Sequence, residues 1–252
     1  MSAPLLEVKN LSKSYGDFRA VKEVSFTLNA GELLALIGPN GAGKTTCFNM
    51  LMGQLTPSAG RIVFNGEDIV GRATRDIWRL GVGRTFQIAA AFGSLTVKEN
   101  VAVALSSVAQ KSFQFFSPPG QPVQSASIEL LQQVGLASQA DRACSELAYG
   151  DVKRLELAMA LAHAPRLLLM DEPTAGMAPS EREALMALTH GFVRERGMAV
   201  LFTEHDMDAV FAHADRIVVL DRGRVIAQGT PAEVRADTNV RDVYLGAGST
   251  YT

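Results

Sequence analysis

The chain has little that would tie it to a disulfide scaffold, a membrane span or a nucleic-acid groove. Among 252 residues there are two cysteines, Cys47 and Cys144, neither with a metal-ligand companion in the sequence. Two thiols cannot staple a secreted scaffold, so both are expected to be simply packed, in a reducing cytosol. No apolar run reaches the length of a membrane-spanning helix, and the opening MSAPLLEVKN lacks a basic region ahead of a long apolar stretch. Neither a span nor a signal peptide is therefore expected. Net charge is −2 with a pI near 6.1, and like charges never cluster into a long run. That argues against nucleic acid as a partner and against a polybasic membrane anchor. No internal repeat is visible, and the guanine-reading pattern Asn-Lys-x-Asp is absent.

What is present reads as one α/β domain. A chain of this length buries roughly three quarters of its unfolded surface, enough for a single large core with a small subdomain. The 47% hydrophobic content and mean hydropathy of +0.11 leave room for an apolar docking surface. Residues 5–9, 22–28 and 61–64 read as short strands separated by turn signals, an antiparallel β-rich opening. LLALI (33–37), RLLLM (166–170) and MAVLFT (198–203) are continuous apolar runs, as expected of parallel strands covered on both faces. A helix carrying Leu185, Leu188, Phe192 and Val193 ends at Gly197, and RIVVLDRGRVIAQG reads as a hairpin turning on Asp221 to Gly223. TPAE at 230–233 fits a capping box that opens short tail helices. The segment 88–162 differs, being rich in Ala, Leu and Gln and helical by pattern at 127–134 and 151–162. It is expected to be a helical subdomain inserted into a core formed by 1–87 and 163–252.

Two stretches carry chemistry. GPNGAGKTT, Gly38 to Thr46, follows the 33–37 strand and leads into an apolar helix, matching the Walker A (P-loop) pattern G-x-x-x-x-G-K-[ST] in the setting that pattern needs. Gly41 and Gly43 let backbone N–H groups turn inward around a phosphate, the helix N-terminus adds its positive end, and Lys44 neutralises the β/γ oxygens. Thr45 is a candidate Mg2+ ligand, and Gly38, Asn40 and Thr46 complete the candidate phosphate-binding set. The plainer alternative is an ordinary glycine-rich turn. RLLLMDEP then ends an apolar strand on adjacent carboxylates, Asp171 and Glu172, where an open α/β sheet places its ligands. Strand alternation sends the two in different directions, so Asp171 can face Mg2+ while Glu172 polarises an attacking water. The alternative here is a solvated strand end with Glu172 capping the next helix.

The order P-loop, RTFQ (84–87), LAYGD (147–151), LLLMDEP and FTEHD (202–206) resembles the ATP-binding cassette ATPases of membrane transporters over nearly the whole chain. The resemblance implies a P-loop NTPase core with a mixed sheet, an N-terminal antiparallel β subdomain and an inserted helical subdomain. It implies ATP and Mg2+, with Tyr15 stacking on adenine, Gln87 sensing Mg2+ and the attacking water, and His205 contacting the γ-phosphate. LAYGD stands where the family usually has Leu-Ser-Gly-Gly-Gln, the signature loop that completes the ATP site of the other subunit in a head-to-tail dimer. Gly150 would then permit close backbone approach to the partner's nucleotide.

Two departures stand out. Tyr149 and Asp151 replace small and amide residues, and Ala178 stands where many relatives carry Asp. A carboxylate ~6 Å from a phosphate would be repelled by roughly 3 kcal/mol per unit charge at an effective dielectric of about 20. Asp151 is therefore expected to turn away as the cap of the following helix, its charge offset by Lys153 and Arg154.

LAYGDVKRLELAMAL, RTFQIAAAFGSLTVKENV and the ending GTPAEVRADTNVRDVYLG look most like the ATPase subunits of branched-chain (hydrophobic) amino acid importers. That resemblance implies a peripheral protein on the cytoplasmic face of the cell membrane. Its partners would be a second cassette subunit (a different chain or a second copy), transmembrane permease subunits and, indirectly, an extracytoplasmic binding protein. A helix of the permease is expected to dock around Ala89, Ala90, Ala91 and Phe92. A soluble cassette ATPase serving iron–sulfur assembly would share the same motifs and is the alternative.

Overall fold

The computed structural model describes residues 3–85, 91–108 and 121–245. Along the chain, β1 (Leu6–Tyr15), β2 (Phe18–Leu28) and β3 (Leu33–Ile37) lead into α1 (Lys44–Leu51), and β4 (Ala59–Phe64), β5 (Glu67–Asp68), α2 (Thr74–Arg79) and β6 (Val82–Thr85) follow. Three helices come next: α3 (Val97–Val108), α4 (Gln121–Gln133) and α5 (Tyr149–Leu161). The chain returns through β7 (Leu167–Asp171), α6 (Pro179–Arg196), β8 (Ala199–Thr203), α7 (Met207–His213), β9 (Arg216–Asp221) and β10 (Arg224–Gly229), ending in α8 (Pro231–Ala236) and α9 (Thr238–Leu245).

Among the described residues these strands form two sheets. One is antiparallel, in the order β2-β1-β4-β5; the other runs β10-β9-β3-β8-β7-β6, parallel except for the antiparallel edge strand β10. All residues of β3, β7 and β8 are buried, as their unbroken apolar runs predict. Alternation divides them: Leu33, Ala35 and Ile37 face one apolar cluster with α5 and α6, whereas Leu34 and Leu36 face a second with α1 and the antiparallel sheet. Helices α3, α4 and α5 pack on one another through Val97, Val101, Leu131 and Leu155, continuous with the first cluster. The C-terminal ends of β3, β7 and β8 thus open toward one edge between the clusters.

The first two strands are longer than their alternation suggests. Buried positions run Leu6, Val8, Leu11 in β1 and Val21, Val24, Phe26, Leu28 in β2, so each strand slips by one residue. Asn10 (φ 47°) and Glu23 (φ 56°) take up the slip beside shifts in the β1–β2 register. Bulges restore inward pointing but break the period of two that marks a strand in sequence. Helix α3, absent from the sequence expectation, starts with a capping box: Thr96 Oγ1 accepts from the Glu99 N–H at 3.3 Å, and the Glu99 carboxylate accepts from the Thr96 N–H at 2.8 Å. The 221–223 turn is as expected, Arg222 (φ 44°) and Gly223 (φ 81°) being both left-handed, the two-residue turn that suits the twist of a hairpin.

Candidate functional site

Residues 38–43 connect β3 to α1 as a turn clamped from behind. A Cβ on Gly43 (φ 106°) would meet the Ala20 carbonyl oxygen at 2.8 Å, so β2 backbone presses directly on the turn. The Gly223 N–H donates to Ala42 O at 3.0 Å, tying the β9–β10 hairpin to the same place. The outward side is different: Gly41 is left-handed (φ 79°) and nothing lies within 4 Å of where its Cβ would be. Asn40 and Thr45 are exposed, and Thr46 is half-buried beside them. This is a cradle shaped for an anion by backbone N–H groups, and it fits the phosphates the motif implies.

Lys44 is buried, its Nζ donating to Gly38 O at 2.6 Å and Pro39 O at 3.2 Å. Burial pulls its pKa below the usual lysine value, opposed by the carboxylates of Glu172 and Asp171. The cation is thus bonded to backbone carbonyls within electrostatic reach of the acidic end of β7.

Strand β7 ends on Asp171, and Glu172 takes a left-handed conformation (φ 49°), which puts the two side chains in different settings. The Glu172 N–H donates to Thr203 O and Thr203 Oγ1, both at 3.1 Å, which holds that conformation. Asp171 Oδ1 accepts from Thr203 Oγ1 at 2.7 Å and Oδ2 from the Arg84 guanidinium at 3.1 Å. Glu172 Oε1 lies 2.7 Å from His205 Nε2. Beyond it the Thr174 N–H and hydroxyl both donate to the buried Glu204 carboxylate, at 2.8 and 2.6 Å. Asp171, Glu172, Lys44 and His205 are thus brought together at one sheet edge, as the sequence motifs require. Tyr15, at the far end of β1, is 51% exposed, with Lys13 Nζ 5.3 Å from its ring centroid. Gln87, Ala89 and Ala90 lie outside the described residues; Ala91 packs on the first apolar cluster and Phe92 is exposed.

Corrections fall on the stretch LAYGD. Tyr149, Gly150 and Asp151 do not precede the helix but form its first turn, and the cap is Ala148, not Asp151. The Asp151 carboxylate accepts from Gln139 Nε2 at 2.7 Å, with Arg154 at 3.9 Å. Lys153 takes no part in this, being buried and paired with Glu156 at 3.1 Å. Gly150 is buried, and a Cβ there would meet Glu181 Oε1 at 2.7 Å. Tyr149 reaches across to the segment after β7: its hydroxyl donates to Ala175 O at 3.1 Å and its ring sits 3.6 Å from where a Cβ of Gly176 would be. Arg84, Thr203, Glu204 and the Tyr149–Ala175 bond were not found by motif. All these side chains lie inside recognised stretches, Arg84 in RTFQ, Tyr149 in LAYGD and Thr203 and Glu204 in FTEHD, but no motif specifies the partners they bond.

A cleft of about 450 Å³ lies between α2, β6, α3 and α5, lined by Met52, Trp78, Thr85, Ala104, Met159 and His163. Trp78 and His163 stack there at 4.8 Å, and burial lowers the His163 pKa against the raising effect of backbone hydrogen bonds. Among the described residues no helix is long and apolar enough to cross a membrane, and no cluster of three or more His, Cys, Asp or Glu forms a metal cage.

A P-loop ahead of a mixed sheet, with paired carboxylates at a neighbouring strand end, defines a nucleotide triphosphatase. The ABC transporter family profile matches residues 21–175, and the chain belongs to that family of ATP-hydrolysing cassettes. A second profile, described as a branched-chain amino acid ATP-binding cassette transporter, matches residues 224–250. The chain is 39% identical over 253 residues to the high-affinity branched-chain amino acid transport ATP-binding protein BraF of Pseudomonas aeruginosa, covering 98% of this chain and 99% of BraF. It is 40% identical over 255 residues to LivG of Salmonella typhimurium, which carries the same description, with the same coverage. Its fold matches the ADP conformation of an ATP-binding cassette of an ABC transporter with a TM-score of 0.87, at 28% identity, covering 97% of this chain and all of that one.

Proposed function

We propose that this chain is the ATP-hydrolysing subunit of an importer for branched-chain or other hydrophobic amino acids, peripheral on the cytoplasmic face of the cell membrane. The observation that carries this is the 39–40% identity to BraF and LivG over nearly the full length of both. The branched-chain profile at residues 224–250 supports it independently. Relatives named for lipopolysaccharide export are also similar, at 35–36%.

In this reading the N–H groups of the 38–43 turn and Lys44 Nζ hold the phosphates of ATP, Lys44 leaving the Gly38 and Pro39 carbonyls to do so. Tyr15 offers its exposed ring to adenine. Thr45, Asp171 and Gln87 would hold Mg2+, and one exposed hydroxyl with one buried carboxylate suits an ion that takes most of its oxygens from phosphate and water. Held there, the ion would supply Lewis-acid stabilisation of the charge on the phosphates. Glu172 takes the proton of the attacking water, and His205 exchanges its bond to Glu172 for one to the γ-phosphate. The first turn of α5, with Gly150, completes the ATP site of a second cassette, either a different chain or another copy of this one.

A short cytoplasmic helix of a membrane subunit docks in the apolar cleft between α2, β6, α3 and α5, in place of the stretch Ala89 to Phe92 expected from sequence, whose described residues Ala91 and Phe92 do not line that cleft. Strand β6 lines that cleft and ends two residues before Gln87 in the sequence, so the position of the helix follows the state of the γ-phosphate. Uptake of radiolabelled leucine in cells lacking the chain tests the whole reading. The wild-type chain restores uptake and Glu172→Gln does not; uptake that persists without the chain overturns it.

A further inference from the structure

We propose that Arg84 is a positioning residue for the metal half of the site, one that sets how Thr45 and Asp171 face each other. The proposal rests on the reading of those two residues as Mg2+ ligands. Arg84 belongs to no phosphate-binding motif and sits on β6, the edge strand of its sheet. Its side chain is only 10% exposed, and its guanidinium is shared between two elements. One nitrogen donates to Asn49 Oδ1 at 3.0 Å and Gln54 Oε1 at 2.9 Å, and the other donates to Asp171 Oδ2 at 3.1 Å.

Asn49 lies four residues after Thr45 on α1, hence on the same face of that helix, one turn along. A single rigid fork therefore joins the helix that carries Thr45 to the strand end that carries Asp171. Because Thr203 holds the other oxygen of Asp171 at 2.7 Å, the carboxylate is fixed at both ends and cannot rotate. The charge of Arg84 also balances Asp171 where Lys44 is turned onto backbone carbonyls. A lysine at 84 would supply the charge but could not hold both elements, since one ammonium on a flexible stem lacks the planar fork.

The arrangement predicts an effect on metal coupling that general destabilisation would not produce. ATP binding to the isolated full-length chain is measured by titration calorimetry in EDTA and again with Mg2+, and the ratio of the two dissociation constants is compared among variants. In EDTA, wild type, Arg84→Met, Arg84→Lys and Asn49→Ala agree within about twofold. The Mg2+-dependent tightening falls by about tenfold in Arg84→Met, nearly as far in Arg84→Lys, and by a smaller factor in Asn49→Ala, the range typical of groups that orient metal ligands. Asn49→Ala keeps the test open should the arginine variants fold poorly. Wild-type coupling in either Arg84→Met or Arg84→Lys overturns the positioning role while leaving the metal reading intact. Wild-type chain that binds ATP equally well with and without Mg2+ overturns the metal reading and this inference with it.

Discussion

Glycine stands at the entry of α1 and again in the first turn of α5, and the two positions use it differently. At Gly41 the backbone is left-handed, and the space a side chain would fill is empty on the outward face of the turn. At Gly150 the residue lies within the helix, and the space is already taken by Glu181 of the same chain. Around the first turn of α1 the chain has left room for something from outside; around the first turn of α5 it has packed against itself, with Tyr149 on Gly176 and Gly150 under Glu181. The turn before α1 is open on its outward face, whereas the first turn of α5 is filled by its own chain. In the proposed reading the first holds a nucleotide within one chain, and the backbone of the second meets one brought by another subunit.

The variant with the largest effect separates binding from chemistry on the α1 side. Lys44→Ala abolishes ATP binding because it removes the buried cation, whereas Glu172→Gln keeps binding and slows hydrolysis by roughly 10²–10⁴. Equilibrium binding and steady-state turnover on the same preparations check this, and equal loss of binding in both would break the division of roles. On the α5 side, Gly150→Ala forces Glu181 away from the Ala178 N–H it caps at 3.1 Å. The expected cost is about 1 kcal/mol of stability, with ATP affinity of the isolated chain unchanged. In a Glu181→Ala background, where that cap is already lost, Gly150→Ala adds little further cost, measured as a double-mutant cycle by urea denaturation. Additive losses would mean the two residues do not touch in the way described.

The smallest effect is one of pH. Burial depresses the Lys44 pKa in the folded chain, so the unfolded chain keeps its proton to higher pH. Below the folded pKa both states are charged and the full burial penalty applies; as pH rises from there toward 10.5 the penalty is relieved. Stability of the nucleotide-free wild type therefore rises relative to Lys44→Met across that window. A flat difference would place the Lys44 ammonium in water rather than in the turn.

Much of this was open to reading from sequence where the cause is local. Strands β3, β7 and β8, the phosphate turn, the 221–223 hairpin and the Thr230–Glu233 capping box each announce themselves within a few residues. What escaped falls into two kinds. The ends of β1 and β2 were missed because their bulges break alternation, and α3 because its Thr96–Glu99 box precedes a stretch of Val, Ala and Ser with little apolar contrast. The bonds of Arg84, the Tyr149–Ala175 contact and the placing of Glu181 over Gly150 join segments far apart in the chain, and no local pattern specifies such pairs. The expected cap at Asp151 failed for a related reason: Gln139, not the helix end, bonds its carboxylate.

The central claim is that the α1 side is complete within one chain and the α5 side acts only between chains. It is tested most directly by measuring ATP affinity and ATP turnover per chain across a wide dilution series, alone and with the second cassette subunit. The account predicts a dissociation constant for ATP that does not change with chain concentration. Turnover per chain, by contrast, falls toward zero on dilution and returns when the partner cassette is added. Full turnover by a dilute, monomeric chain would contradict it.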